Sequence, residues 1–547
     1  MVPFKEAHTA DLLKEMASLF PEREALIHVK RGKRYTHNQL LDEVDRLAKG
    51  LLALGVEKGE HVALWAPNLP EWVIAAFAIA RVGAVLVSVD PFYEAPQLEY
   101  LLKNSESRTL ILARGLDGGE GFLRLLEGLA PEIKAPSMPP HLERFPHLKR
   151  LILLSDSPYG GILCLREVIE KGEEISNDEL EERAALCSPH DIFTLMYTSG
   201  TTGSPKGVLS THYALINKSM ISASLQKLGP QDRLCLAVPL FHMFGSICVL
   251  LTAVTCGATT VIPSDTFDAE ETLKAIERER CTALYGTPSL FVSLLEHPRF
   301  GDFDLSTLRK GIVAGAPCPM ELMKRIVERM GAKDMITGYG LTEASTWITM
   351  TSADDPLEVR ISTIGRALPH IEVKIIDPSS GEELPDGAEG EICTRGLLME
   401  GYYKMPAATA QAIDKEGWLH TGDLGWKGSD GLFRITGRVK ELIRKGDRMI
   451  HPVEVEEYLY THPKIAEAQV FGVPDEEVGE EIAAWIKLKE GEEATQEEIF
   501  TFCREGLDPF LIPKYVRFVD SFPMTPTKKV QKFKLRQEAM KLYGLER

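Results

Sequence analysis

The sequence predicts an α/β protein: a large N-terminal domain of mostly parallel, helix-covered sheets carrying a small β-rich subdomain, then a small α+β C-terminal domain. Three observations lead there. Short β-branched runs alternate with helical patterns through the first two thirds of the chain, as crossover units in parallel sheets require. After about residue 361 the text turns to strands joined by Gly, Pro and Asp. From Glu441 onward strands and helices mix again over about a hundred residues, enough for a domain of their own. A chain of 547 residues is also too long for one core. The expected boundaries are 1–438 for the large domain, 361–436 for the subdomain within it and 439–547 for the C-terminal domain.

Taken in order, HVALWA (61–66) reads as a short buried strand. Arg81 and Gly83 divide the run from Trp72 to Val89 into a buried helix, WVIAAFAIA, and a strand, AVLVSV. FTLM (193–196) is strand-like and VLSTHYALINKSM (208–220) helix-like. The longest charge-free stretch, Leu234 to Ser264, is broken by Pro239, His242 and Gly257. A spanning helix needs ~20 uninterrupted apolar residues, so this stretch predicts strand, helix and strand inside a core, and no transmembrane segment. TALYG (282–286), RKGIVAG (309–315) and DMITGYG (334–340) follow as buried strands. In PMELMKRIVERMGAK (319–333), Met323, Ile326, Val327 and Met330 form a helical stripe ended by Gly331. IEVKIID (371–377) and AEGEICTRG (388–396) flank the turn-rich PSSGEELPDG (378–387).

Composition excludes some classes of function. With 80 acidic and 62 basic residues the net charge is −18, which disfavours binding to nucleic acid, since that needs a basic face. Nine cysteines run from Cys164 to Cys503 with no C-x-x-C pair, so neither a zinc ribbon nor a disulfide framework fits. They read as small buried apolar residues of a reducing compartment. The opening MVPFKEAHTADLLKEM lacks a signal-peptide layout, and a cytoplasmic location is the expectation.

The most informative segment is Tyr197-Thr-Ser-Gly-Thr-Thr-Gly-Ser-Pro-Lys-Gly207. Its glycines, Gly200 and Gly203, free the backbone to curl around an anion. The hydroxyls of Thr198, Ser199, Thr201 and Thr202 donate to anion oxygens, and Lys206 adds a mobile positive charge. A flexible linker is the bland reading, but linkers rarely carry one lysine between a proline and a glycine after a buried strand. It is not a Walker loop, because Lys206 is preceded by Pro205 and followed by Gly207. The residue order resembles the phosphate loop of the adenylate-forming (ANL) superfamily, which includes AMP-dependent acyl-CoA synthetases. Further similar segments occur in the family's order: PLFHMFG (239–245), GAP (315–317), GYGLTE (338–343), GEICTRG (390–396), TGD (421–423), GRVKELIRKG (437–446) and PMTPTKKVQKFK (523–534).

The resemblance implies attack of a carboxylate on the α-phosphorus of ATP, giving acyl-AMP and pyrophosphate, then attack of the coenzyme A thiol on the acyl carbon. Like charges meet in the first step, so positioning and cationic clamps carry the catalysis. By resemblance, Thr198, Ser199, Thr201, Thr202 and Lys206 hold the β- and γ-phosphates. Thr342 contacts the α-phosphate, and Glu343, with Thr198, holds Mg²⁺, a cation suited to hard oxygen ligands. Tyr339, between Gly338 and Gly340, resembles the ring that stacks on adenine. Gly315, Ala316 and Pro317 resemble the loop along the adenine edge, and Asp423 with Arg438 the pair on the ribose. His242 matches a residue beside the acyl carboxylate; a structural imidazole is the equal alternative.

Lys529 matches the cation that bridges carboxylate and α-phosphate, in a tail with seven Lys/Arg against two Glu from Pro523 to Arg547. Met524 and Lys528 depart from the usual P-R-T-x-x-G-K, and Lys528 competes for the role. Lys440 matches the hinge about which the C-terminal domain rotates between the two steps. Lys445 and Gly446 match the pantetheine tunnel wall, where Asp447 replaces a frequent glycine. The function implied is an acyl-CoA synthetase acting on a medium-chain, alicyclic or aryl acid, reversible in direction, as a monomer or homodimer. The alternatives are an acyl-AMP ligase serving a carrier protein, a luciferase-like oxygenase, or a non-catalytic nucleotide-binding homologue.

Overall fold

The structure, a computed structural model, describes residues 3–135, 142–198, 205–446, 448–524 and 530–545. By contact density the chain forms two compact units, one of residues 1–285, 340–347 and 396–415, the other of 286–339, 348–395 and 416–547. The segment 396–415 joins the first unit through the pairing of Gly401–Tyr402 with Lys206–Thr211.

The first unit holds an eight-stranded sheet in the order Gly401–Tyr402, Lys206–Thr211, Ile192–Thr198, Val85–Val89, His61–Trp65, Thr109–Leu112, Arg150–Leu153 and Leu163–Cys164. From Ile192–Thr198 to Leu163–Cys164 the pairs are parallel, and only the two pairs at the other edge are antiparallel. The helix Pro70–Arg81 is buried on every side, and Val85–Val89 is buried throughout, as the apolar run from Trp72 to Val89 demands. The former charge-free stretch is strand Arg233–Cys235, π-helix Phe244–Leu251 and strand Thr259–Ile262, with a single helical turn, Thr252–Thr255, before the last strand.

One expectation is corrected here. Residues 208–211 are strand, not helix: Lys206–Thr211 lies antiparallel to Ile192–Thr198, and Val208 also pairs with Tyr402. The helix begins only at His212, where the Thr211 hydroxyl accepts the amide of Ala214. The strands on either side of residues 199–204 are therefore antiparallel partners. On helix Met320–Arg329 the expected stripe is buried at Met323 and Ile326 and at Met330 on its C-cap, Leu322 joins it, and only Val327 is half-buried.

In the second unit, Lys310–Val313 runs parallel to Asp334–Leu341. A four-stranded antiparallel sheet follows, ordered Glu372–Ile376, Gly390–Arg395, Leu419–Lys427, Phe433–Arg438. The C-terminal sheet is built on the long pair Ile465–Asp475 and Gly479–Leu488, with Tyr515–Phe518 parallel to the latter. Ile443, Val455, Leu459, Val470, Ile482, Ile486, Ile499 and Val516 form its core. Cys164, Cys235, Cys248, Cys281, Cys393 and Cys503 are buried and form no disulfide, as expected for small apolar residues.

Candidate active site

The stem of the phosphate loop is set by the hairpin register, with Tyr197 opposite Gly207 and Thr198 opposite Lys206. A Cβ on Gly207 would stand 2.6 Å from Leu195 Cδ1, so the leucine side chain would have to move to admit one. Two hydroxyls clamp the stem: Tyr197 donates to Asn104 Oδ1 at 2.7 Å and Tyr100 to the Pro205 carbonyl at 3.0 Å. Burial drives the Tyr197 phenol far above its ordinary pKa, so it remains a donor. Ser199, Gly200, Thr201, Thr202 and Gly203 lie outside the described residues. The Lys206 ammonium sits 4.7 Å from the ring centre of Tyr402.

That same tyrosine donates from its hydroxyl to Glu343 Oε1 at 2.9 Å. Burial, then the Glu343 charge, raises the Tyr402 phenol and keeps it protonated. Glu343 and Thr342 stand half-buried in the turn between strands Asp334–Leu341 and Thr346–Met350, and the Met399 amide donates to the Glu343 carbonyl at 3.0 Å. The turn is tight. Ser345 and Thr346 have φ of 50° and 97°, and a Cβ on Gly340 would stand 2.0 Å from the Thr346 carbonyl oxygen. A positive φ at a β-branched threonine is costly and needs surrounding structure to hold it. Part of that support is Lys218, fully buried in helix His212–Leu225, whose ammonium donates to the Trp347 carbonyl. Burial lowers the Lys218 pKa from 10.5 to about 7. His242 Nδ1 accepts the Phe244 amide at 3.1 Å, and the Phe244 ring meets Trp347 edge-on with centroids 5.9 Å apart.

In the second unit the central residue is Asp423, only 1% exposed. Its Oδ2 accepts the Tyr339 hydroxyl at 2.6 Å and its Oδ1 accepts Arg438 Nε at 2.6 Å. Asp423 and Arg438 are cross-strand partners, so the ion pair follows from register. Burial raises the Asp423 carboxyl and the guanidinium opposes that rise; burial and then Asp423 push the Tyr339 phenol well up. Gly315, with φ of 88°, Ala316 and Pro317 form an exposed loop after Lys310–Val313, while Gly338 is buried. Lys440 lies in an exposed turn. Lys445 pairs with Glu481 Oε2 at 2.9 Å and covers the Phe510 ring at 5.1 Å. Gly446, at φ 61°, donates its amide to the Val478 carbonyl at 2.7 Å. Lys528, Lys529 and Asp447 lie outside the described residues.

The structure thus brings Lys206 and Glu343 to one tyrosine, and Tyr339 and Arg438 to one aspartate. Tyr402 and Lys218 were not singled out from the sequence. Tyr402 carries a weak signal, the Gly-Tyr-Tyr-Lys run at 401–404, but its pairing with Val208 is visible only in the fold.

The class is given by comparison with known families: the model of the AMP-binding enzyme family matches residues 13–403, and the model of the AMP-binding enzyme C-terminal domain matches 454–529. The chain is a member of that family. YngI of Bacillus subtilis strain 168, provisionally named an acyl-CoA synthetase, is 44% identical over 537 residues, covering 98% of this chain and 97% of that protein. The human mitochondrial medium-chain acyl-CoA ligase ACSF2 is 39% identical over 534 residues, covering 96% and 86%. The crystal structure of the anthranilate CoA ligase AuaEII with anthranoyl-AMP superposes with a TM-score of 0.88 at 27% identity, over 100% of this chain and 99% of that one. The protein is an AMP-forming acyl-CoA synthetase, an acid–thiol ligase that uses ATP, a small carboxylic acid and coenzyme A. Among the described residues no helix is long and apolar enough to cross a membrane.

Proposed function

We propose that the acid is an uncharged hydrophobic one of medium chain length, with alicyclic and aryl acids as the neighbouring class. The name of the human relative, a medium-chain ligase, and the apolar ring of Phe244, which follows His242 by two residues and meets Trp347, support this reading. A carboxylate oxygen attacks the α-phosphorus, the bond to pyrophosphate breaks, and the thiol then displaces AMP from the acyl carbon while its proton passes to solvent. Thr198, Ser199, Gly200, Thr201, Thr202, Gly203 and Lys206 hold the outer phosphates; Thr342 orients the inner one. Tyr339 stacks on adenine, with Gly315, Ala316, Pro317, Gly338 and Gly340 shaping its slot. Asp423 and Arg438 take the ribose hydroxyls, and His242 lies near the substrate carboxylate.

The observation that carries the assignment is the pairing around Tyr402, where the Lys206 cation and the Glu343 carboxylate are held by one side chain. A polyphosphate and its cation need that combination of opposite charges. Glu343 offers a hard, half-buried oxygen already oriented by a hydroxyl, which fits Mg²⁺, with Thr198 as a second oxygen; the ion would neutralise phosphate charge. Lys529 neutralises the clash of carboxylate and α-phosphate, and rotation of residues 439–547 about Lys440 brings Lys445 and Gly446 to the thiol path. The proposed setting is the cytoplasm, as a monomer or homodimer.

The test is a panel of short, medium, long, alicyclic and aromatic acids, following AMP release with and without coenzyme A, on the wild type and on Lys529→Ala. Medium chains are expected to turn over best, and Lys529→Ala to bind ATP normally but lose acyl-adenylate formation. Turnover of long chains alone would overturn the substrate reading; full activity in Lys529→Ala would overturn the role of that lysine and move it to Lys528.

A further inference from the structure

We propose that Glu391, Cys393 and His420 form a binding site for a zinc-class divalent cation, apart from the side chains assigned to ATP and acid. The antiparallel strands Gly390–Arg395 and Leu419–Lys427 place Cys393 directly opposite His420. Glu391 precedes Cys393 by two residues and so shares its face of the sheet. The register shift between them brings one donor atom from each residue to within 4.8 Å of the others. Cys393 Sγ lies 3.7 Å and Glu391 Oε2 3.0 Å from the same ring nitrogen, His420 Nδ1. Tetrahedral zinc with bonds of about 2.0–2.3 Å separates its donors by roughly 3.3–3.7 Å, so the Cys393–His420 and Glu391–His420 spacings need only small adjustments.

The surroundings agree with a metal. One ring nitrogen presents a single lone pair or a single N–H in its plane, which serves one of two such neighbours well; a cation is shared by all three. Glu391 Oε1 accepts the Gly422 amide at 2.9 Å, which fixes the carboxylate with Oε2 toward the imidazole, the outer-shell orientation that metal ligands require. Cys393 is buried with Ile376 and Trp418, where a charge-neutral set of thiolate, carboxylate and divalent cation is favoured. Lys374, the cross-strand partner of Cys393 on its other side, is held 4.3 Å from the Trp418 ring centre. His420 and Glu391 are 33% and 13% exposed, leaving an entry path. Thiolate and imidazole select zinc, cadmium or cobalt over Mg²⁺, and three protein donors leave the fourth position to water. Binding releases the thiol proton, and any Nδ1 proton, to solvent.

The experiment titrates the full-length protein with Cd²⁺ and with Co²⁺. One equivalent of Cd²⁺ is expected to produce a thiolate-to-metal ultraviolet band, and Co²⁺ the visible spectrum of a four-coordinate thiolate site. Cys393→Ser should abolish both bands, and His420→Gln should weaken binding roughly tenfold or more. Acyl-CoA formation by each variant reports that it is folded, and Glu391→Gln, which keeps the thiol and the ring, supplies a third measurement if Cys393→Ser fails to fold. A wild type without a thiolate band at stoichiometric Cd²⁺ overturns the site. So does a band that survives in Cys393→Ser, since it would belong to one of the other cysteines.

Discussion

At the scale of the residue, the proposed ribose site depends on one carboxylate with two donors. Asp423 is buried, and its oxygens are taken by Tyr339 and Arg438 at 2.6 Å each. Bonds of this charge-assisted kind contribute about 1.5–3 kcal/mol, and removal of the charge also strands a guanidinium. Asp423→Asn is therefore expected to raise the KM for ATP and lower kcat/KM by about 10–100-fold, while the KM for the acid changes little. Tyr339→Phe keeps the ring and loses only the hydroxyl, so its effect should be about tenfold or less. Steady-state kinetics with each substrate varied in turn checks both; a larger effect on the acid KM than on the ATP KM would contradict the assignment to the ribose.

At the scale of the element, the turn from Asp334–Leu341 into Thr346–Met350 is fixed by close backbone approach, because Gly340 faces the Thr346 carbonyl with no room for a methyl group. Gly340→Ala is expected to cost about 3 kcal/mol and to disable the Glu343 turn. Gly331→Ala, at φ 72° with nothing within 4 Å, should cost only about 1 kcal/mol. Urea melts of the two variants test the contrast. The sequence foretold this turn only as a motif. Periodic elements such as Pro70–Arg81 and Val85–Val89 were legible because burial follows local spacing. Residues 208–211 were misread because Val208 is strand by virtue of its partners Met196 and Tyr402, not of its neighbours. Tyr402 and Lys218 escaped for the same reason, since each acts across a separation that no local pattern encodes. Asp423, Arg438 and Tyr339 were candidates through family resemblance alone, and their mutual contacts were not legible.

At the scale of the whole molecule, Lys218 links stability to pH. Folding lowers its pKa from 10.5 to about 7, so between those values the unfolded chain binds more protons than the folded one. Stability from this residue therefore rises as pH increases from about 7 toward 10, and below 7 the folded state carries the full cost of a buried ammonium. Lys218→Met should raise the Tm at pH 6.5, flatten its dependence up to pH 9, and reduce activity by freeing the Trp347 carbonyl. Calorimetry at several pH values, with activity alongside, checks all three; a Tm that still climbs equally with pH would show that other groups govern the slope.

The first unit is also discontinuous along the chain, since it takes in residues 396–415 after two excursions into the second. On the ribosome, the strand Lys206–Thr211 emerges long before Gly401–Tyr402, the strand that borders it. At ~5–20 residues per second the wait is about 10–40 s, during which an apolar sheet margin stays uncovered and Glu343, once made, has no tyrosine to hold it. The hairpin edge at Lys206–Thr211 thus gains its last neighbour only after residue 402 has left the ribosome, which makes the completion of this sheet a late event in synthesis.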